Sequence, residues 1–226
     1  GRCQPNAAGD DICNGAVDNA SGIAALIALA QAHHQAGPAD RSLVFLAVTA
    51  EEQGLLGSEY YATHPIFPLA QTAGGVNMDS MTPSGPFRDI AVVGQGKNEL
   101  DAMLAQIASA RGLHISPDPS PEKGHYYRSD HFSLAKVGVP MFNFSAGEDL
   151  VDGGTAAGEA AALDYVMHRY HSPDDEIAYI TRWDGMAQEV GLLYAAGRAL
   201  AMSDAWPNWL PGDEFRAVRD RSRAGR

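Results

Sequence analysis

The sequence predicts an α/β fold built as a three-layer sandwich, with a mostly parallel central sheet flanked by helices. Two observations support this class. Short apolar runs alternate along the chain with longer segments of helical periodicity, and that order favours a parallel sheet covered by helices. The run at residues 42–48, SLVFLAV, is almost continuously apolar, as expected of a strand buried on both faces.

The first predicted helix covers residues 21–36 and ends at the Gly-Pro pair that follows it. Four of its apolar residues have the i, i+3, i+4, i+7 spacing of one buried face: Ile23, Leu26, Ile27 and Ala30. The later predicted elements are a helix at 55–61, strands at 75–78 and 90–93, a helix at 98–111, a short helix at 132–136, a strand at 140–144, and helices at 157–169 and 183–202.

Composition limits the class of protein and its partners. Of 226 residues, 45% are apolar and 19% are charged, which is typical of a globular chain with a sizeable core. The formal net charge of −12 makes nucleic acid and anionic membrane surfaces poor partners. No run of 18 apolar residues indicates a transmembrane helix. We therefore expect neither a nucleic acid partner nor a membrane partner.

Two cysteines, Cys3 and Cys13, are the only ones in the chain. Both lie in a polar stretch rich in Gly, Asn and Asp, which has little else to fix its conformation. A disulfide between them is favoured over two free thiols, and it would indicate an oxidising compartment.

Acidic residues and one histidine stand at the ends of predicted elements. Asp18 precedes the first helix, Glu51 and Glu52 follow the 42–48 strand, Asp79 follows the strand ending at 78, and His171 lies in a loop before the last helix. The carboxyl ends of parallel strands gather ligands, so these side chains are expected to meet at one edge of the sheet. Each also has a structural explanation, such as a helix N-cap for Asp18 or first-turn acids for Glu51 and Glu52.

Together these residue types suit a metal site. Carboxylate oxygens and neutral imidazole bind zinc, and two zinc ions about 3.5–4 Å apart share a carboxylate and a water. Adjacent glutamates can have separate roles, because one can bind metal while the other acts as a base on the attacking water.

Five motifs in order carry a family resemblance. They are GAVDNASGIAALIALA, VTAEEQGLLGSEYY, VNMDS, YRSDHFSLAKVGVP and YHSPDDE. The sequence from about residue 14 to 195 closely resembles the co-catalytic dizinc aminopeptidases, a family that also includes glutamate carboxypeptidase and the transferrin receptor ectodomain. The resemblance implies a phosphorylase/hydrolase-like sandwich and a zinc peptidase domain at residues 1–205. Residues 206–226 are predicted to form a C-terminal tail exposed to solvent.

The resemblance also implies roles for individual residues. Asp18 corresponds to the carboxylate that bridges both zinc ions. Glu52 and His171 correspond to ligands of one zinc, and Asp79 to a ligand of the other. Glu51 corresponds to the general base that takes a proton from the attacking water and passes it to the leaving amine.

Two further residues have less specific assignments. Tyr170, directly before the ligand histidine, resembles a tyrosine that stabilises the oxyanion, and a packed aromatic ring is the alternative. Asp130, in the Ser-Asp-His segment, matches a stretch that lines the substrate pocket, where it would contact the substrate amine or orient its neighbours.

One expected ligand has no counterpart. Members of the family have a His-x-Asp motif upstream of the bridging carboxylate, whereas no histidine precedes Asp18. Either the sequence begins after that motif and the first strands, or the motif is lost. With only Asp79 and the shared Asp18, the second site has too few ligands, so we expect two zinc ions in a complete domain and at most one in this chain. Missing strands would leave apolar sheet surface exposed.

The leading function is a zinc exopeptidase that removes N-terminal residues from peptides. Alternatives are a glutamate-carboxypeptidase-like enzyme, a glutaminyl-cyclase-like enzyme, and a receptor-like binding domain without activity. The adjacent Glu51 and Glu52 favour hydrolysis. The possible disulfide and the habits of the family favour a periplasmic or secreted location, and the sequence does not indicate an oligomeric state.

Overall fold

The computed structural model describes residues 1–118 and 120–224. The helices in these ranges are α1 (Gly22–Gln35), α2 (Leu56–Thr63), α3 (Leu100–Ser109), α4 (His131–Lys136), α5 (Gly154–His168), α6 (Trp183–Ala201) and α7 (Arg216–Arg223). The strands are β1 (Gly75–Val76), β2 (Asp89–Val92), β3 (His114–Pro117), β4 (Met141–Phe142) and β5 (Phe144–Ala146). No helix in the described ranges is long and apolar enough to cross a membrane.

The strands form two small sheets. One pairs β1 with β4 in parallel, with Gly75 opposite Met141. The other has the order β3-β2-β5, in which β2 pairs parallel with β3 and antiparallel with β5. Helices pack against these strands. The α/β class is confirmed, and the parallel pairings outnumber the antiparallel one, as the sequence predicted.

The core lies between α3, α6 and the strands. Leu100 and Leu104 of α3 are buried, one turn apart on a single face. Leu192 and Leu193 of α6 are buried against the same cluster, which also contains Ile90 of β2. Burial of these side chains stabilises the contact between the helices and the sheet by about 1.5–3 kcal/mol each.

The buried face of α1 differs from the prediction. Ala25, Leu29 and His33 are buried, whereas Ile23 and Ile27 are exposed, Ile27 by 57%. The helix is apolar around most of its circumference, so periodicity alone does not distinguish its two faces. The face with small Ala25 packs toward α6, where the His33 ring lies 4.6 Å from the Tyr194 ring.

Residues 42–48 do not form the predicted strand. Among the described residues, no backbone hydrogen bond is made by this segment, and four consecutive side chains are exposed: Leu43, Val44, Phe45 and Leu46. The segment does contact α1, because the Phe45 ring lies 6.0 Å from the His33 ring. The composition is that of a buried strand, but a strand needs a neighbouring strand to satisfy its backbone, and the described chain places none beside it.

The C-terminal region is not the solvated tail that the charge pattern suggested. Trp209 and Arg219 are completely buried. The Arg219 guanidinium donates hydrogen bonds to the carbonyl oxygens of Thr72 and Ala73 at 2.9 and 2.8 Å, so α7 holds the chain just before β1. The domain boundary at residue 205 stays a prediction, and residues 225–226 lie outside the described ranges.

The predicted disulfide between Cys3 and Cys13 is present. It closes a loop at the start of the chain that leads directly to Asp18. Two hydrogen bonds join this loop and the residue after it to the segment that follows His171. Asn6 Nδ2 donates to Asp174 Oδ1 at 2.9 Å, and Asn14 Nδ2 donates to Glu176 Oε1 at 2.5 Å.

A buried carboxyl group joins α6 to two loops. Glu189 accepts hydrogen bonds from the backbone N–H of Thr82 at 3.1 Å and of Ala146 at 3.3 Å. Burial raises the pKa of Glu189 to about 7, while the two amide hydrogen bonds act in the opposite direction. The folded protein therefore binds a proton at Glu189 more tightly than the unfolded chain does.

We predict that Glu189 lowers the stability of the protein as pH rises. Between about pH 4.5 and 7 the folded state binds more protons at this group than the unfolded state, so the free energy of unfolding falls with pH, by about 3 kcal/mol at most. Glu189→Gln removes this contribution. Urea unfolding at several pH values should show that the difference in stability between wild type and variant changes across this window. Glu122→Gln, at an exposed position, is the control, and equal pH slopes for wild type and Glu189→Gln would contradict the prediction.

We also predict that the exposed apolar residues of α1 and of residues 43–46 cause self-association. Ile27→Lys should reduce association and the binding of an apolar dye, because it places a charge on this surface. Ile66→Lys is the matched control, since Ile66 is 77% exposed and belongs neither to α1 nor to residues 43–46. Sedimentation velocity over a concentration series measures the effect, and equal behaviour of the two variants would refute the assignment to this surface.

Candidate metal centre

Three separate segments bring the predicted ligands to one place. Asp18 lies in the turn that leads into α1, Glu51 and Glu52 begin a short 3-10 turn after residues 42–48, and His171 follows α5. Asp18 does not cap α1, because the side-chain oxygen that accepts the Gly22 amide belongs to Asn19, at 3.0 Å. The N-cap explanation for Asp18 is therefore wrong.

The backbone around these residues is unusual. Of the described residues other than glycine, four have positive φ: Ala50 (58°), Leu55 (62°), Ser80 (61°) and His171 (55°). Each is a predicted site residue or stands within three positions of one. The left-handed conformation costs a residue with a side chain about 1–2 kcal/mol, and such residues collect at functional sites.

Asp18, Glu52 and His171 form a compact group of donors. The Nε2 atom of His171 lies 3.2 Å from Oδ2 of Asp18 and 2.8 Å from Oε1 of Glu52. One donor atom from each residue lies within 4.8 Å of the others. Asp18 is mostly buried, whereas Glu52 and His171 face solvent, so the group is accessible from outside.

Asp79 lies beside this group without belonging to it. Its negative charge contributes to raising the pKa of Asp18 to about 6, after the larger effect of burial. The Ser129 hydroxyl donates to Oδ2 of Asp79 at 2.7 Å, and Asn77 Nδ2 donates to the Ser129 hydroxyl at 2.8 Å. Asp79 is thus oriented by the segment that follows β1 and by the segment before α4.

Asn19 connects the turn that carries Asp18 to the loop that carries Asp79. Its Nδ2 atom donates to the Met78 carbonyl oxygen at 3.1 Å, and its Oδ1 atom accepts the Ser80 amide at 3.2 Å. Since Met78 and Ser80 flank Asp79, one amide side chain fixes the two acidic residues relative to each other.

Glu51 is surrounded by other acids. Burial, and then the charges of Asp79, Glu52, Asp130 and Asp18 in that order, raise the pKa of Glu51 to about 7. A carboxyl group with this pKa exchanges protons near neutral pH, as a general base requires.

Tyr170 stacks on the imidazole of His171, with ring centroids 3.7 Å apart. Burial, and then the charges of Asp18 and Glu52, raise the pKa of Tyr170 to about 12, so the phenol keeps its proton at neutral pH. The residue is 45% exposed, which does not fit a ring that serves only to fill the core.

Asp130 stands next to the site at the start of α4 but makes no capping hydrogen bond to it. Burial raises its pKa, and its charge acts on Glu51. Among the described residues, its buried Oδ1 atom has no hydrogen-bond partner. A buried acceptor without a donor is costly, and it suits a ligand that brings one.

A cavity of about 460 Å³ opens beside the centre, between α5 and the sheet that contains β2. Val17 and Ser80, the neighbours of Asp18 and Asp79, form part of its wall. On the α5 side, Ala161, Ala162 and Val166 contribute apolar side chains to its wall.

Three residues that shape the site had no individual role predicted from sequence: Asn19, Ser129 and Asp175. All three lie inside the quoted motifs, directly beside or within a few positions of a proposed site residue. That adjacency was the available signal. Their hydrogen bonds to main chain and to Asp79 depend on contacts between distant segments, which the local pattern does not report.

Residues 5–195 match the sequence pattern of Peptidase family M28, and the chain belongs to this family. The match confirms the resemblance found from the five motifs.

Solved structures agree with the fold. The chain is similar to an aminopeptidase from Aneurinibacillus sp. strain AM-1, with a TM-score of 0.61 and 22% identity over 85% of this chain and 41% of that one. It is also similar to a peptidase M28 precursor from Shewanella amazonensis SB2B, with a TM-score of 0.57 and 21% identity over 87% of this chain and 39% of that one. The chain therefore spans about two fifths of the length of these relatives.

Proposed function

We propose that this chain carries the catalytic site of a zinc-dependent exopeptidase, an aminopeptidase that removes N-terminal residues from peptides. The observation that carries the proposal is the group of Asp18, Glu52 and His171, whose donor atoms lie within 4.8 Å of one another in a member of Peptidase family M28.

The donor set fits zinc. Two carboxylates and one imidazole are common zinc ligands, and three protein ligands leave a position open, as in catalytic sites. Bound there, zinc would supply a Lewis acid that polarises the scissile carbonyl and lowers the pKa of water. Asp79 would have only Asp18 to share with it at a second site, which is why we expect at most one tightly bound zinc ion.

The remaining residues of the site would move protons and orient the substrate. The Glu51 carboxylate takes a proton from the attacking water and delivers it to the leaving amine. The Tyr170 phenol, which stays protonated, donates a hydrogen bond to the developing oxyanion. The Oδ1 atom of Asp130 accepts a hydrogen bond from the ammonium group of the substrate. The neighbouring cavity receives the side chain of the N-terminal residue of the substrate.

The chemistry at the start of the chain also suggests where the protein works. A disulfide between Cys3 and Cys13 persists in oxidising surroundings and is rare in the cytosol. A periplasmic or secreted location is therefore part of the proposal.

We predict at most one zinc ion per chain, measured by elemental mass spectrometry on protein purified without chelator. His171→Ala should abolish this binding, because it removes the only imidazole of the donor group. His34→Ala, at an exposed position of α1, is the matched control and should retain the metal. Two zinc ions per chain, or full retention by His171→Ala, would overturn the assignment of the ligands.

We predict that Glu51→Gln lowers kcat on leucine p-nitroanilide by about 10²–10⁴-fold, because the amide cannot act as a base. Zinc content should be unchanged, since Glu51 lies outside the donor group. Glu122→Gln should hydrolyse the substrate at the wild-type rate. Hydrolysis by Glu51→Gln at that same rate would show that another group activates the water.

A further inference from the structure

Asp175 occupies a central place beside the candidate metal centre without belonging to the donor group. It stands four residues after His171, in a turn where its N–H donates to the Ser172 carbonyl oxygen at 3.2 Å. Its side chain is almost fully buried, with the residue 2% exposed. Such a buried carboxylate needs partners for both oxygens.

The partners of this carboxylate are two consecutive backbone amides. The N–H of Val17 donates to Oδ1 at 2.9 Å, and the N–H of Asp18 donates to Oδ2 at 3.0 Å. The Tyr165 hydroxyl donates to Oδ2 at 3.3 Å. In addition, the N–H of Ala16 donates to the main-chain oxygen of Asp175 at 3.1 Å.

We propose that Asp175 is a positioning residue that fixes the separation between the metal ligands His171 and Asp18. The inference rests on the proposed metal centre. His171 directly precedes the turn that Asp175 closes, and Asp18 is the residue whose amide donates to Asp175. Asp18 has non-helical dihedral angles, φ −112° and ψ 93°, so no helical hydrogen bond takes the place of this contact.

The two loops are also joined by a hydrogen bond at an exposed position. A variant at that position distinguishes a positioning role of Asp175 from a general effect on loop stability. Asp174 accepts a hydrogen bond from the side chain of Asn6, which lies outside the turn that carries Asp18. Asp174→Asn therefore weakens the contact between the loops and leaves the amides of Val17 and Asp18 in place. Asp175→Asn keeps one acceptor oxygen and turns an NH₂ group toward the other amide, where two donors oppose each other.

The test measures zinc affinity by competition with a chromophoric chelator, on variants whose folded fraction is checked by circular dichroism. Asp175→Asn should weaken zinc binding by about 10–100-fold, the range expected when a group that orients a ligand is removed. Asp174→Asn should stay within about twofold of wild type. Tyr165→Phe removes one hydrogen bond to the same carboxylate and should weaken binding roughly two- to fivefold.

The outcomes separate the inference from the function on which it rests. No zinc binding by wild type would overturn the proposed function and this inference with it. Wild-type binding with equal affinities of Asp175→Asn and Asp174→Asn would overturn the inference alone. Should Asp175→Asn fail to fold, Tyr165→Phe decides, because wild-type zinc affinity in that folded variant would also overturn the inference.

Discussion

Four carboxyl groups share one small volume in this protein, and like charges held that close repel each other. At an effective dielectric of about 20, two unit charges 4 Å apart interact by about 4 kcal/mol. Flexible loops would separate to relieve this repulsion. Hydrogen bonds from main-chain amides to side chains instead hold the loops of Asp18 and Asp79, and left-handed residues flank Glu51 and Glu52. Burial, and then this repulsion, raise the pKa of Asp18 to about 6 and the pKa of Glu51 to about 7.

Much of the fold could be predicted from sequence, and its errors share one cause. Periodicity predicted a helix at residues 98–111, where α3 lies. It chose the wrong face of α1, where apolar residues surround the helix, and it predicted a strand at residues 42–48. A pattern reports which residues can be buried. It does not report whether the surrounding chain offers something to bury them against.

The site divides in a similar way. The types and order of the motif residues were enough to predict that Asp18, Glu52 and His171 lie together. The groups that orient them were not predictable, because their partners are main-chain atoms of distant segments. Asp175, for example, holds an amide 157 positions away in the chain. No local spacing encodes a hydrogen bond of that kind, although the buried carboxylate is as much a part of the site as the residues that face solvent.

The left-handed residues around the site have a consequence for how the protein can evolve. Glycine adopts positive φ without steric cost, so replacing Ala50, Leu55 or Ser80 by glycine would remove local strain. It would also free the backbone torsions that hold the acidic side chains close together. Selection for thermal stability alone would then favour glycine at these positions, whereas selection for a fixed arrangement of the acids would keep side chains that folding by itself disfavours.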